Sequence, residues 1–228
     1  MGKLITIEGM SGSGKTYYFN KLKEDFKDDD RIYFNGEITD GNHENYGSKI
    51  FDILFSNKSR FFDIGNPKAE TLLITAKQAL DEDNYILPAL NDDKIVISDR
   101  GFDTICILEG IMYTKKYGGN LSDNINMLYD SLCLFNRVPD ITILLDGDIN
   151  KAIRRAEIRD NLAYTSEERL ILENSARLYR EKALEDRFVL INRDQDCDVV
   201  YQEIKNVISN ELEKKGRYVY EKNNISNR

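Results

Sequence analysis

The 228-residue chain predicts a doubly wound α/β domain on a five-stranded parallel sheet, with helices on both faces. Three observations lead there. Five short runs of β-branched and apolar residues lack the polar alternation of a half-exposed strand, as strands covered on both faces do. Helical patterns fill the intervals between them. The first run passes straight into a glycine-rich turn and then a helix, in the stretch ITIEGMSGSGKTYYF.

In chain order the runs are LITI at 4–7, RIYF at 31–34, KIVIS at 94–98, DITILL at 140–145 and FVLI at 188–191. The helix after the first run carries Phe19, Leu22 and Phe26 at helical spacing. The segment NPKAETLLITAKQALDEDNYILPAL starts with Asn66 as an N-cap and Pro67 at the first helical position. DTICILEGIMY at 103–113 is apolar enough for core or for a subunit face. After the fourth run come Arg154, Arg155 and Arg159, of which the last two, four apart, share a helix face. These boundaries give one domain over 1–212, a lid at about 150–165 and a polar tail over 213–228, whose end is expected to fray.

Composition narrows the function. A net charge of −8 argues against a general nucleic-acid or membrane surface, although a small basic pocket is still possible. Cys106, Cys133 and Cys197 are far apart and odd in number, as reduced intracellular thiols are. His43 is the sole histidine and lies in a polar loop, which argues against histidine catalysis and a histidine-rich metal site. No leader pattern opens the chain and no run of about 18 apolar residues occurs, so a cytoplasmic protein is expected.

The glycine-rich turn carries the chemistry. Gly9, Met10, Ser11, Gly12, Ser13, Gly14, Lys15 and Thr16 match GxxxxGK[ST], the phosphate-binding loop. A loop wrapped around phosphates must aim successive N–H groups inward, which demands unusual backbone angles and no Cβ in the way. The next helix adds free N–H groups and a partial positive charge. Lys15 suits the β- and γ-phosphates, and the Thr16 hydroxyl suits magnesium. Asp99, closing the third run, is placed to hold the magnesium shell, with helix capping as the plain alternative. The expected fold is therefore a P-loop NTPase three-layer sandwich with a small helical lid. The chain lacks the Asn-Lys-x-Asp that reads guanine, since position 195 in NRDQD is Gln; ATP is the expected donor.

LITIEGMSGSGKT, KIVISDRGFDT and VPDITILLDGDINKAIRRAEIRDN occur in the same order as the hallmark segments of thymidylate kinases, and the chain resembles that family over residues 3–208. The resemblance implies that Arg100 of the Asp-Arg pair holds the acceptor phosphate. Lys15 and the lid residues Arg155 and Arg159 would stabilise the transferring phosphoryl group. Glu37 would shape the acceptor pocket, or serve as general base if the acceptor were a hydroxyl. Ile74 stands where the family stacks an aromatic on thymine, Gln78 where it has Arg, and Thr104 where it has Ser. Ser11, Gly101, Leu108 and Glu109 replace Asp, Tyr, Tyr and Gln of the family pattern. The donor side is thus kept while the acceptor side is rebuilt.

The expected activity is ATP- and magnesium-dependent phosphoryl transfer to a nucleoside monophosphate, with dTMP or a related pyrimidine deoxynucleotide as the default. Two other readings stay open: a kinase of a nucleoside, modified nucleotide or other small acceptor, and an inactive ATP-binding regulatory protein. Family resemblance also implies a homodimer.

Overall fold

Each apolar run is a strand in the computed structural model, which describes residues 2–36, 46–55, 60–62 and 64–225. The strands are β1 (Lys3–Glu8), β2 (Ile32–Asn35), β3 (Ile95–Asp99), β4 (Ile141–Asp146) and β5 (Phe188–Asn192). They form one parallel sheet in the order β2-β3-β1-β4-β5. β1 is central, and its Ile7 lies opposite Asp99 of β3 and Ile143 of β4. The chain leaves β1 for one half of the sheet and later returns to its other side. The crevice at the carboxyl ends of these strands is where such sheets bind ligands.

The connecting helices are α1 (Lys15–Asp25), α2 (Tyr46–Leu54), α3 (Pro67–Asp81), α4 (Leu87–Asn91), α5 (Phe102–Tyr117), α6 (Leu121–Leu132), α7 (Ile149–Asp160), α8 (Ser166–Lys182) and α9 (Cys197–Ile225). On one face, Ile5, Ile7, Ile97, Ile143 and Leu145 pack against α1 and α9 through Phe19, Leu22, Ile204 and Ile208. On the other, Leu4 and Val96 meet Leu90 of α4, and Leu144 meets Ile107 of α5 and Leu178 of α8. The period-two alternation thus divides the strand residues between two helical layers.

Asn66 caps α3 by accepting from the Ala69 N–H at 3.4 Å, as the sequence predicts. The stretch to residue 90 is not one regular helix, because a π-helical turn, Glu82–Ile86, separates α3 from α4. Pro88 explains the interruption: it lacks an N–H and its ring crowds the carbonyl one turn earlier, so the helix widens before it. α9 runs on to Ile225, so the segment expected as a separate polar tail continues a helix. No helix among the described residues is long and apolar enough to cross a membrane.

A buried polar knot fastens α5 to the sheet. Asp103 is fully buried and accepts from both Nη atoms of Arg187, at 2.8 and 2.6 Å. It also accepts from the Thr142 hydroxyl at 2.9 Å and the Tyr129 hydroxyl at 2.8 Å. Removing one partner of such a pair strands the other charge. Arg187→Leu is expected to lower the unfolding free energy by about 3–5 kcal/mol, read as a lower urea midpoint at unchanged slope. A loss below about 1 kcal/mol would show that Asp103 is satisfied without the guanidinium.

Candidate active site

The phosphate loop springs from the end of β1. Gly9, Gly12 and Gly14 have φ of 140°, 80° and 96°, conformations that side chains resist. At Gly12 space is decisive as well, since a Cβ would lie 2.0 Å from the Ala152 carbonyl oxygen of α7. α1 begins with Gly14 at its N-cap and no side-chain capping bond, which leaves its positive end to meet an anion. Lys15 folds back over the loop, and its Nζ donates to the carbonyls of Gly9 at 2.6 Å and Met10 at 2.9 Å. Arg155 Nε donates to the Gly12 carbonyl and Arg193 Nε to the Ser13 carbonyl, both at 2.8 Å.

Beside the loop lies a cavity of about 560 Å³. One wall is the loop itself, with Gly9, Met10, Ser11 and Thr16. Arg100 and the α5 residues Thr104, Leu108 and Glu109 form another, and Phe51, Phe55, Phe61 and Phe62 an aromatic one. The lid contributes Arg159, Asp160 and Tyr164, and α8 contributes Leu172, Ser175 and Tyr179. Arg100 has φ of 69°, a left-handed conformation costing of order 1–3 kcal/mol, held by its N–H bond to the Ile7 carbonyl at 3.1 Å. Such strain at a strand end is the mark of a placed residue.

Two buried carboxyls sit at this site. Glu8 accepts from the N–H and hydroxyl of Thr104 and, at 3.0 Å, from the Tyr179 hydroxyl. Burial, reinforced by Asp103, pushes it up to about 7, against the pull of Thr104, Arg100 and Lys15. Glu109 faces Glu70 of α3 and accepts from Thr71 Oγ1 at 3.3 Å. Burial first, then Glu70, pushes it up to about 8.

The structure brings most of the residues singled out in the sequence to one place. Arg100, Thr104, Thr16 and Arg159 line the cavity, and Asp99 lies buried at the end of β3. Arg155, expected beside Arg159 in a catalytic role, does not line the cavity and instead holds the loop by the Gly12 carbonyl. Arg154 is exposed. Ile74 and Gln78 do not line the cavity either. They are on the buried face of α3, where Ile74 packs among Leu54, Phe102 and Cys106. Glu37 and His43 lie outside the described residues.

Sequence reasoning assigned no role to Glu8, Arg60, Tyr164, Tyr179 and Arg193. Glu8 carried a signal, as a lone carboxylate inside the apolar ITIEG run; Arg193 carried one in directly following the fifth strand. The paired phenylalanines carried none. The Thr16 hydroxyl and Asp99 carboxylate are hard oxygen donors. No cluster of three potential protein ligands forms among the described residues. Hard oxygen donors of this kind are what magnesium takes, one or two from the protein beside waters and phosphate oxygens.

Comparison with known proteins agrees on one relationship. A family model described as thymidylate kinase matches residues 7–204. The probable thymidylate kinase of Halorubrum lacusprofundi is 31% identical over 206 residues, covering 90% of this chain and 97% of its own. The thymidylate kinase of Mycoplasma mobile is 29% identical over 218 residues, covering 92% and 99%. The crystal structure of thymidylate kinase from Ehrlichia chaffeensis shares the fold, with a TM-score of 0.60 at 24% identity, over 92% of this chain and all of that one.

The raised carboxyls have a measurable consequence. In the unfolded chain a glutamate titrates near 4.5, whereas the folded chain keeps its proton on Glu8 up to about 7 and on Glu109 up to about 8. Between these values the folded state binds more protons, so stability falls as pH rises through the window. Glu109→Gln is expected to flatten that fall, and the variant to gain on the wild type from about pH 5 to about pH 8.5 in urea midpoints. Superimposable profiles would mean that Glu109 ionises as it does in water.

Proposed function

The chain belongs to the thymidylate kinase family, and on that premise we propose that it transfers the γ-phosphoryl group of ATP to dTMP in the cavity described above. The observation that carries the reading is the junction itself. A phosphate loop opens on one side of a cavity, and Arg100 and Arg159 line the same cavity from β3 and the lid. Cationic walls favour a phosphate-bearing acceptor over a neutral nucleoside. The aromatic wall gives a planar base an apolar surface to lie against.

The protein's part in such a reaction is positioning and charge stabilisation. The uncapped start of α1 and the Lys15 ammonium take the donor's phosphate oxygens, which displace the Gly9 and Met10 carbonyls now held by Lys15. Arg100 takes the acceptor phosphate, from a backbone position fixed at the end of β3. Arg159 lies on the exposed side of the cavity, with its Nε 2.6 Å from Asp160, and is placed to close over the transferring group. Arg155 keeps the loop in shape. Thr16 and Asp99 would hold magnesium, which when bound would neutralise phosphate charge. A phosphate acceptor is already ionised near neutrality, so no general base is required. Tyr164 and α7 pack on Met10 and Leu172, covering the loop and limiting access of water.

ADP release with ATP and magnesium should rise on adding dTMP and stay at background with thymidine. Lys15→Met should lower the dTMP-dependent rate by at least about 10²-fold with the thermal unfolding midpoint retained, and chelation of magnesium should abolish it. Equal stimulation by thymidine would overturn the acceptor assignment. Tight ATP binding with no response to any nucleotide would overturn the kinase itself.

A further inference from the structure

Glu8 ends β1 with its side chain on the α5 side of the sheet, because strand residues alternate and Ile7 packs on the α1 side. It has no exposed surface, and the proposed reaction gives it no task. Its Oε2 is bonded to Thr104 Oγ1 and lies 3.0 Å from Tyr179 Oη. Those two hydroxyls are 2.9 Å from each other. Three oxygens thus form a closed triangle of hydrogen-bond contacts. Glu8 itself does not line the cavity, but Thr104 and Tyr179 both do.

Such a triangle needs three hydrogens, and each hydroxyl brings one. While Glu8 is ionised, both hydroxyls donate to it and the contact between them lacks a hydrogen. A proton on Oε2 supplies the third. The ring then closes: Glu8 donates to Thr104, Thr104 to Tyr179, and Tyr179 back to Glu8. The charged groups that face Glu8 come from three elements. Asp103 of α5 opposes its ionisation, whereas Arg100 after β3 and Lys15 of α1 favour it. Both cations are assigned to phosphates in the proposed reaction. A phosphate that engages them withdraws their support for a second negative charge nearby, so ligand and carboxylate compete for one positive field. The coupling is reciprocal: what a bound phosphate does to the Glu8 proton, the proton does to phosphate binding.

We propose that Glu8 is a positioning residue of the acceptor site, whose protonated form closes the ring that orients Thr104 and Tyr179 and whose ionised form opposes a nucleotide phosphate at Arg100. This rests on the reading of the cavity as the acceptor site. Glu8 touches no ligand and acts through Thr104, Tyr179 and Arg100.

Calorimetric titration of the full chain with dTMP from about pH 6 to about pH 9, beside dTMP-stimulated ADP release over the same range, tests this. Glu8→Gln is the neutral counterpart: its amide nitrogen can donate to both hydroxyls and its carbonyl can accept from the Thr104 N–H. Ionisation of dTMP is common to both proteins and cancels in the ratio of their affinities. At about pH 6 the two are expected to agree within about twofold, and by about pH 9 the wild type should bind dTMP about three- to tenfold more weakly than the variant. The KM for dTMP should diverge in the same way, with kcat less affected, and thymidine, which lacks the phosphate, should show no divergence. A ratio constant across pH would overturn the proposal, because it would make Glu8 a packing residue. If Glu8→Gln fails to fold, the carbon-13 carboxyl resonance of Glu8 in labelled wild-type protein gives the answer directly. Its titration midpoint should rise on saturation with dTMP, and an unmoved midpoint would overturn the proposal as well. The acceptor reading fails separately: divergent dTMP binding without dTMP-stimulated ADP release in either protein would support the coupling through Glu8 and sink the kinase assignment.

Discussion

Asp103 has no exposed surface, and three parts of the chain must meet to satisfy its carboxylate. Thr142 comes from β4, Tyr129 from α6 and Arg187 from the residue before β5. The carboxylate therefore fixes how α5 sits on the sheet. Everything that α5 presents to the cavity depends on that seating, from Thr104 near its start to Glu109 about one and a half turns on. Arg187 also donates to Thr142 at 2.8 Å, and Thr142 lies 3.2 Å from the Thr6 hydroxyl of β1. Buried networks of this kind are rigid because each member would be costly to leave unpaired. They suit a position directly beneath a site whose geometry must not drift.

The same physics shapes the charge in the cleft. A site for two phosphate-bearing ligands has to limit its own negative charge. Glu8 and Glu109 both lie against it, and burial holds the first near its midpoint at neutrality and the second largely protonated. Their remaining bonds are local: Glu8 ties Thr104 and Tyr179 together, and Glu109 takes the Thr71 hydroxyl. The guanidinium groups of Arg60, Arg100 and Arg159 then dominate the field that an incoming anion meets. An acidic chain of net charge −8 can thus carry a locally cationic cavity.

The donor side was legible in the sequence because its chemistry is local. Gly9 to Thr16 are contiguous, their spacing is dictated by the phosphates, and the strand before them and helix after them supply the context. The strands were legible for a similar reason: a strand covered on both faces needs an unbroken apolar run, as at Ile95–Ile97. The acceptor side was not legible. Its walls come from α2, residues 60–62, α5, the lid and α8, which tertiary packing alone brings together. Ile74 and Gln78 could be matched by position to a family pattern, yet their spacing of four also describes the buried stripe of a helix. Packing against α5 is what the structure shows there. Arg155 and Arg159 share a face in the sequence, yet Arg155 holds the loop by the Gly12 carbonyl while Arg159 lines the cavity.

Gly12 meets α7 backbone to backbone, since the atom that its missing Cβ would strike is the carbonyl oxygen of Ala152. This limits how the loop and lid can change together over evolutionary time. A clash between side chains can be relieved by trimming the partner, so paired substitutions can pass through a tolerated intermediate. A main-chain carbonyl cannot be trimmed. Every amino acid at position 152 presents the same oxygen, so no single replacement there can act as a genetic suppressor of a residue larger than glycine at position 12. Restoring such a variant requires moving the helix itself, and with it the Ile153 and Ala156 contacts that hold the lid in place.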